Sequence, residues 1–84
     1  MRPSVIVTIN EGDSDYTYDV EIPTDVPCRK VYKDLVESLA AYSGNTSYLK
    51  NTRGMYSLRL QRFLSDEESL GSAGIWNGDI ITIR

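Results

Sequence analysis

The sequence predicts an α+β domain: a mixed four- to five-stranded sheet packed on one helix. Three observations lead there. Two runs of alternating apolar and polar residues, 4–10 and 16–22, open the chain on either side of a short turn. The apolar period then lengthens from 2 to 3.6 after Pro23. The chain closes on DIITIR, apolar at nearly every position, as a strand between two neighbours requires.

In order, SVIVTIN (4–10) puts Val5, Val7 and Ile9 on one face and Ile6 and Thr8 on the other. EGDSD (11–15) is turn chemistry, and YTYDVEI (16–22) sets Tyr16, Tyr18, Val20 and Ile22 against Thr17, Asp19 and Glu21. This is a hairpin with one buried face. PTDVP (23–27) breaks the strand. Cys28, Val31, Tyr32, Leu35, Val36 and Leu39 then recur at i, i+3, i+4, i+7, predicting one long helix over about residues 27–42. Pro27 suits its first turn, Thr24 or Asp25 is placed to cap it, and Ser43 and Gly44 end it. After the polar loop 43–54, MYSLRLQ (55–61) reads as a third strand with Tyr56, Leu58 and Leu60 inward and Ser57, Arg59 and Gln61 outward. A short strand follows near Phe63–Leu64, then an acidic turn anchored by Leu70 and Ile75, the turn Asn77-Gly78-Asp79 and the closing strand. No repeat or linker divides residues 1–84, which are expected to form a single domain.

A net charge of −3 with scattered basic residues argues against nucleic acid as a partner. No run approaches the ~18 apolar residues of a membrane span, and the N-terminus lacks a signal-peptide core, so the expected location is cytoplasmic, without direct membrane insertion. One cysteine cannot form an internal disulfide, and Asn45-Thr46-Ser47 then reads as a polar loop rather than a glycosylation site. Histidine is absent, which removes Ser-His and Cys-His nucleophile activation and imidazole metal ligation. Cys28 shares the helix face of Val31, Leu35 and Leu39, so it is expected in the core rather than as a reactive thiol. Asp66-Glu67-Glu68 lacks the ligand spacing of a calcium loop and reads as a solvated turn. Neither an enzyme, a metal site nor a cofactor is expected.

Hairpin, helix, strand, short strand, turn and strand, with the last strand parallel to the first, is the element order of a β-grasp. LSDEESLGSAGIWNGDIITI, with anchors Leu64, Leu70, Ile75, Ile81 and Ile83, resembles the ubiquitin-like pattern. Together with the Pro-x-x-x-Pro entry into the helix (Pro23, Pro27) and Gly74-Ile75 before Asn77-Gly78-Asp79, the chain resembles the YukD/EsaB family of bacterial ubiquitin-like proteins over about residues 4–84. The resemblance implies a non-catalytic accessory or regulator of type VII (WXG-motif protein) secretion. The alternative it implies is the cytosolic N-terminal domain of a membrane subunit of that apparatus. Conjugated modifiers and sulfur carriers of this fold need a Gly-Gly tail, and this sequence closes on Ile83-Arg84, so conjugation is not expected. The positions matching ubiquitin's usual binding patch hold Glu11 or Gly12, Arg59 and Arg84, so ubiquitin receptors are not expected to recognise it.

The candidate protein-binding residues are Ile6, Arg59, Trp76 and Ile80. Ile6 and Ile80 point away from the helix on neighbouring strands, which would join them in one small apolar patch with Arg59 as a charged rim. Trp76, in the turn before the last strand, is either packed on the core edge or an exposed anchor. The expected partner is a secretion-machinery protein or a second copy of the chain.

Overall fold

The computed structural model describes residues 3–11, 17–43 and 53–84. Tyr16, Gly12, Gly44, Asn45-Thr46-Ser47 and most of the loop 43–54 lie outside these described residues. Within them, β1 (Ser4–Glu11), β2 (Thr17–Pro23), α1 (Cys28–Ser43), β3 (Met55–Ser57), β4 (Arg62–Phe63), α2 (Leu70–Ala73) and β5 (Ile80–Ile83) follow in sequence. The sheet runs β2-β1-β5-β3-β4. β5 is its central strand, parallel to β1 and antiparallel to β3, as its apolar sequence predicts.

The core is the inner face of this sheet against one stripe of α1. Val7, Ile9, Ile22, Ile81 and Ile83 of the sheet meet Cys28, Val31, Leu35 and Leu39 of the helix, closed from below by Leu64, Leu70 and Ile75. Val7, Ile9, Leu70 and Ile81 are fully buried, each worth ~1.5–3 kcal/mol of transfer free energy. All five anchors of the ubiquitin-like pattern are in this cluster. Glu11, at the end of β1, is also buried, with its Oε1 unpartnered among the described residues.

Two local readings change. The helix begins at Cys28 rather than Pro27, whose carbonyl accepts the first helical bonds, from Lys30 and Val31. The Cys28 N–H donates to the Glu68 carbonyl (2.7 Å) and the Arg29 N–H to the Asp66 carbonyl (3.2 Å). The acidic turn thus takes up two of the first amides of α1 through backbone carbonyls, which no side-chain pattern can signal. The second change is β3, which stops at Ser57. There the Gln61 N–H returns to the Ser57 carbonyl (2.8 Å), the Leu60 N–H to the Ser57 hydroxyl (3.2 Å), and Gln61 takes φ +55°. This turn reverses the chain into β4. Met55 and Ser57, not Tyr56 and Leu58, face inward; Leu60 packs at the edge of the core and Leu58 is exposed.

The turn Trp76–Asp79 clips the β1–β5 pair together. The Asn77 Oδ1 accepts the Ile6 N–H (2.8 Å), the Gly78 N–H donates to the Ile6 carbonyl (2.8 Å), and the Thr8 N–H donates to the Asp79 carbonyl (2.9 Å). Gly78 sits at φ +87°, where a side chain would be strained, which explains the glycine.

Candidate protein-interaction surface

The sheet face away from α1 carries the exposed apolar side chains. Ile6 is 54% exposed, Leu58 51%, Ile80 39% and Trp76 64%. The register pairs Ile80 with Thr8, so Ile6 stands one diagonal step from Ile80 rather than opposite it. Long side chains on neighbouring strands reach each other across such a step. On the other flank, the Leu58 N–H donates to the Ile80 carbonyl (3.1 Å), which continues the row as Ile6, Ile80, Leu58. Leu58 escapes a sequence reading because its place in an apparent alternation assigns it to the core.

Arg59, expected as a charged rim, is engaged within the chain. It lies in the turn after β3, and its guanidinium grips Asp79 in a two-pronged pair, Nε to Oδ1 at 2.8 Å and Nη2 to Oδ2 at 2.9 Å, with a further bond to the Gly74 carbonyl. Asp79 is buried, and Oδ2 also accepts the Trp76 N–H at 2.8 Å. The Arg59 hydrogen bonds, helped by that N–H, hold the Asp79 carboxyl below its ordinary range, and Asp79 in turn raises Arg59. The Arg59 Cζ lies 3.9 Å from the centre of the Trp76 ring. Arg59 is thus a fixed support that leaves the other side of the Trp76 indole open. Of the two readings of Trp76, the exposed one holds.

Beyond Leu58, toward β4, the face becomes aromatic and cationic. Tyr56 and Phe63 meet edge to face with centroids 5.3 Å apart. Arg84 covers the Tyr56 ring at 4.3 Å and Arg53 lies 5.9 Å from the centre of Phe63. Arg84 is held in place by backbone pairing with Gly54, N–H to carbonyl in both directions. On the opposite flank, β2 presents Asp19 and Glu21, both exposed. The face therefore runs from acidic through apolar to cationic and aromatic.

Cys28 is 2% exposed, and burial, with Glu68 adding to it, pushes its thiol up to about 11. It is a core side chain, protonated at neutral pH. Among the described residues no helix is long and apolar enough to cross a membrane.

A mixed five-stranded sheet wrapped on one helix, with these anchors, defines a ubiquitin-like β-grasp protein. The family described as WXG100 protein secretion system (Wss), protein YukD, matches residues 4–83, and the chain belongs to that family. Similar solved structures include the ubiquitin-like domain of the Mycobacterium tuberculosis type VII secretion system protein ECCD1, at 24% identity and TM-score 0.71, covering 96% of this chain and 97% of that one. The EccD5 ubiquitin-like domain from Mycobacterium xenopi matches at 17% identity and TM-score 0.75, covering 98% and 93%. A ubiquitin-like protein from Trypanosoma brucei matches at 13% identity and TM-score 0.71, covering 100% and 96%. At these identities the likeness is one of fold. No curated protein matches the chain.

Proposed function

We propose that this chain is a non-catalytic, unconjugated interaction module that assists or regulates type VII secretion from the cytoplasm, docking a protein of the secretion machinery on its outer sheet face. Membership of the YukD family supports the setting. The observation that carries the docking role is the exposed row Ile6, Ile80 and Leu58 beside a Trp76 held open on Arg59. Half-exposed side chains of this size forgo roughly half of the ~1.5–3 kcal/mol that full burial would give each, which a covering partner recovers.

The test is Ile6→Lys combined with Ile80→Lys. A strain lacking the protein should regain secretion of WXG-motif proteins with the wild-type chain but not with the double variant, whose melting temperature stays near wild type. Restored secretion by the variant would sink the docking role, and a large loss of stability would return both residues to the core. Absence of catalysis through Cys28 is checked by a thiol reagent on the native protein. Labelling is expected only on unfolding.

A second reading has a specific support: the Mycobacterium tuberculosis neighbour is the ubiquitin-like domain of a type VII secretion system protein, ECCD1. In that reading the chain is the cytosolic N-terminal domain of a membrane subunit. The reading frame beyond Arg84 discriminates, since an apolar span encoded there selects the second reading.

A further inference from the structure

The free edge of the sheet at β2 borders a groove, and the two together have the form of a strand acceptor. In β1 the Ile6 N–H goes to Asn77 and the Thr8 N–H to Asp79, both away from β2. Their register partners are Glu21 and Asp19. In an antiparallel pair, residues facing each other without mutual bonds turn their N–H and C=O outward on both strands. Asp19 and Glu21 therefore aim their backbone groups off the sheet, where no described residue takes them. Along this edge runs a groove of about 380 Å³ between β2 and α1, its apolar walls formed by Val20, Ile22, Val26, Val31, Leu35 and Leu39. Asp19, Glu21 and Pro23 blunt this edge against pairing with its own copies. It nevertheless spans seven residues and opens onto apolar surface, which suits a strand of complementary charge.

We infer that β2 accepts an extended segment of another protein as a sixth strand, its apolar side chains entering the β2–α1 groove and its basic side chains facing Asp19 and Glu21. Main-chain bonds to the outward groups of Asp19 and Glu21 supply the pairing, and the groove reads alternate side chains. The charge of the occupant follows from β2 itself. Its outward positions are Thr17, Asp19 and Glu21, and cross-strand neighbours of opposite charge stabilise while like charges repel. On the groove side, among the described lining residues, the one cation, Lys30, is paired with Asp34 at 3.1 Å, and Glu21 adds a second carboxylate. The occupant is thus a strand that alternates Val or Ile with Lys or Arg. The edge backbone and the groove lie apart from the Ile6–Ile80 row, which shares only the outer face with Asp19 and Glu21, and the pairing does not depend on the role proposed for that row.

The probe is a capped heptapeptide, Thr-Val-Lys-Ile-Lys-Val-Thr, titrated into the isotopically labelled full chain and followed by NMR. Saturable shifts are expected in Thr17–Ile22 and along the Val31–Leu39 stretch, with exchange of the Asp19 and Glu21 amides slowed about tenfold or more at saturation. Replacing both peptide lysines by glutamate should weaken binding by about fivefold or more. Asp19→Lys with Glu21→Lys, both exposed, should keep a dispersed spectrum and reverse that preference. The inference is overturned by no saturable shift up to millimolar peptide, by shifts confined to Ile6, Leu58, Trp76 and Ile80, or by equal binding of the lysine and glutamate peptides. It is overturned equally if Asp19 and Glu21 become protected on raising protein concentration alone, since the edge then pairs with a second copy.

Discussion

The two flanks of the central strands are secured by different means. On one, β1 and β2 pair over seven residues, from Ser4 with Pro23 to Asn10 with Thr17, and the backbone ladder sets the register. Its outer side chains, such as Asp19 hydrogen-bonded by the Thr8 hydroxyl at 2.8 Å, lie in solvent. On the other, β3 pairs with β5 through three residues and with β4 through two. Side chains hold that flank: Arg59 on Asp79, Tyr56 on Phe63, and Arg62 on Glu68 at 2.7 Å. Where the ladder is long, the register does not depend on the outer polar residues. Where it is short, they become part of the fold, as Arg59 shows.

The largest change breaks both flanks at once, because they share one core. Val31→Asp places a charge among Val7, Ile9 and Leu35 and should cost several kcal/mol, abolishing cooperative melting. A soluble variant melting at the wild-type temperature would refute the packing of α1. The next separates the flanks. Asp79→Ala removes the acceptor shared by Arg59 and Trp76 and should cost ~2–3 kcal/mol in denaturant unfolding. Asp19→Ala on the ladder-held flank should cost ~0.5 kcal/mol or less. Equal losses would dissolve the contrast.

Acid sharpens the comparison further. The hydrogen bond from Arg62, then the Ser65 N–H, pulls the Glu68 carboxyl from 4.5 to about 2. A depressed carboxyl contributes stability that is present above 4.5 and is lost as pH falls from there toward 2. Asp79 is shifted in the same direction, so acid should loosen the β3–β4 flank first. Glu68→Gln should flatten the loss of stability between pH 4.5 and 2, and an unchanged profile would remove Glu68 from this role. The smallest effect is expected for Asp19→Lys with Glu21→Lys, within ~0.5 kcal/mol of wild type by the same unfolding assay.

Much of this was legible in the sequence because it rests on local periodicity. Alternation in 4–10 and 16–22 gave the hairpin, the 3.6 period gave α1, and the anchors Leu64, Leu70, Ile75, Ile81 and Ile83 all reached the core. Ile6 and Ile80 were placed on the outer face by alternation alone, whereas the sequence left Trp76 open between the core edge and solvent, and only the structure exposes it. The tertiary structure alone decided the rest. Alternation through 55–61 suggested a strand with Leu58 inward, but the Ser57–Gln61 turn ends β3 and inverts that assignment. Arg59 finds its carboxylate twenty positions away at Asp79, and the first amides of α1 find carbonyls at Asp66 and Glu68. Such partners are chosen by the approach of distant segments, and no pattern of neighbouring residues encodes which of them will meet.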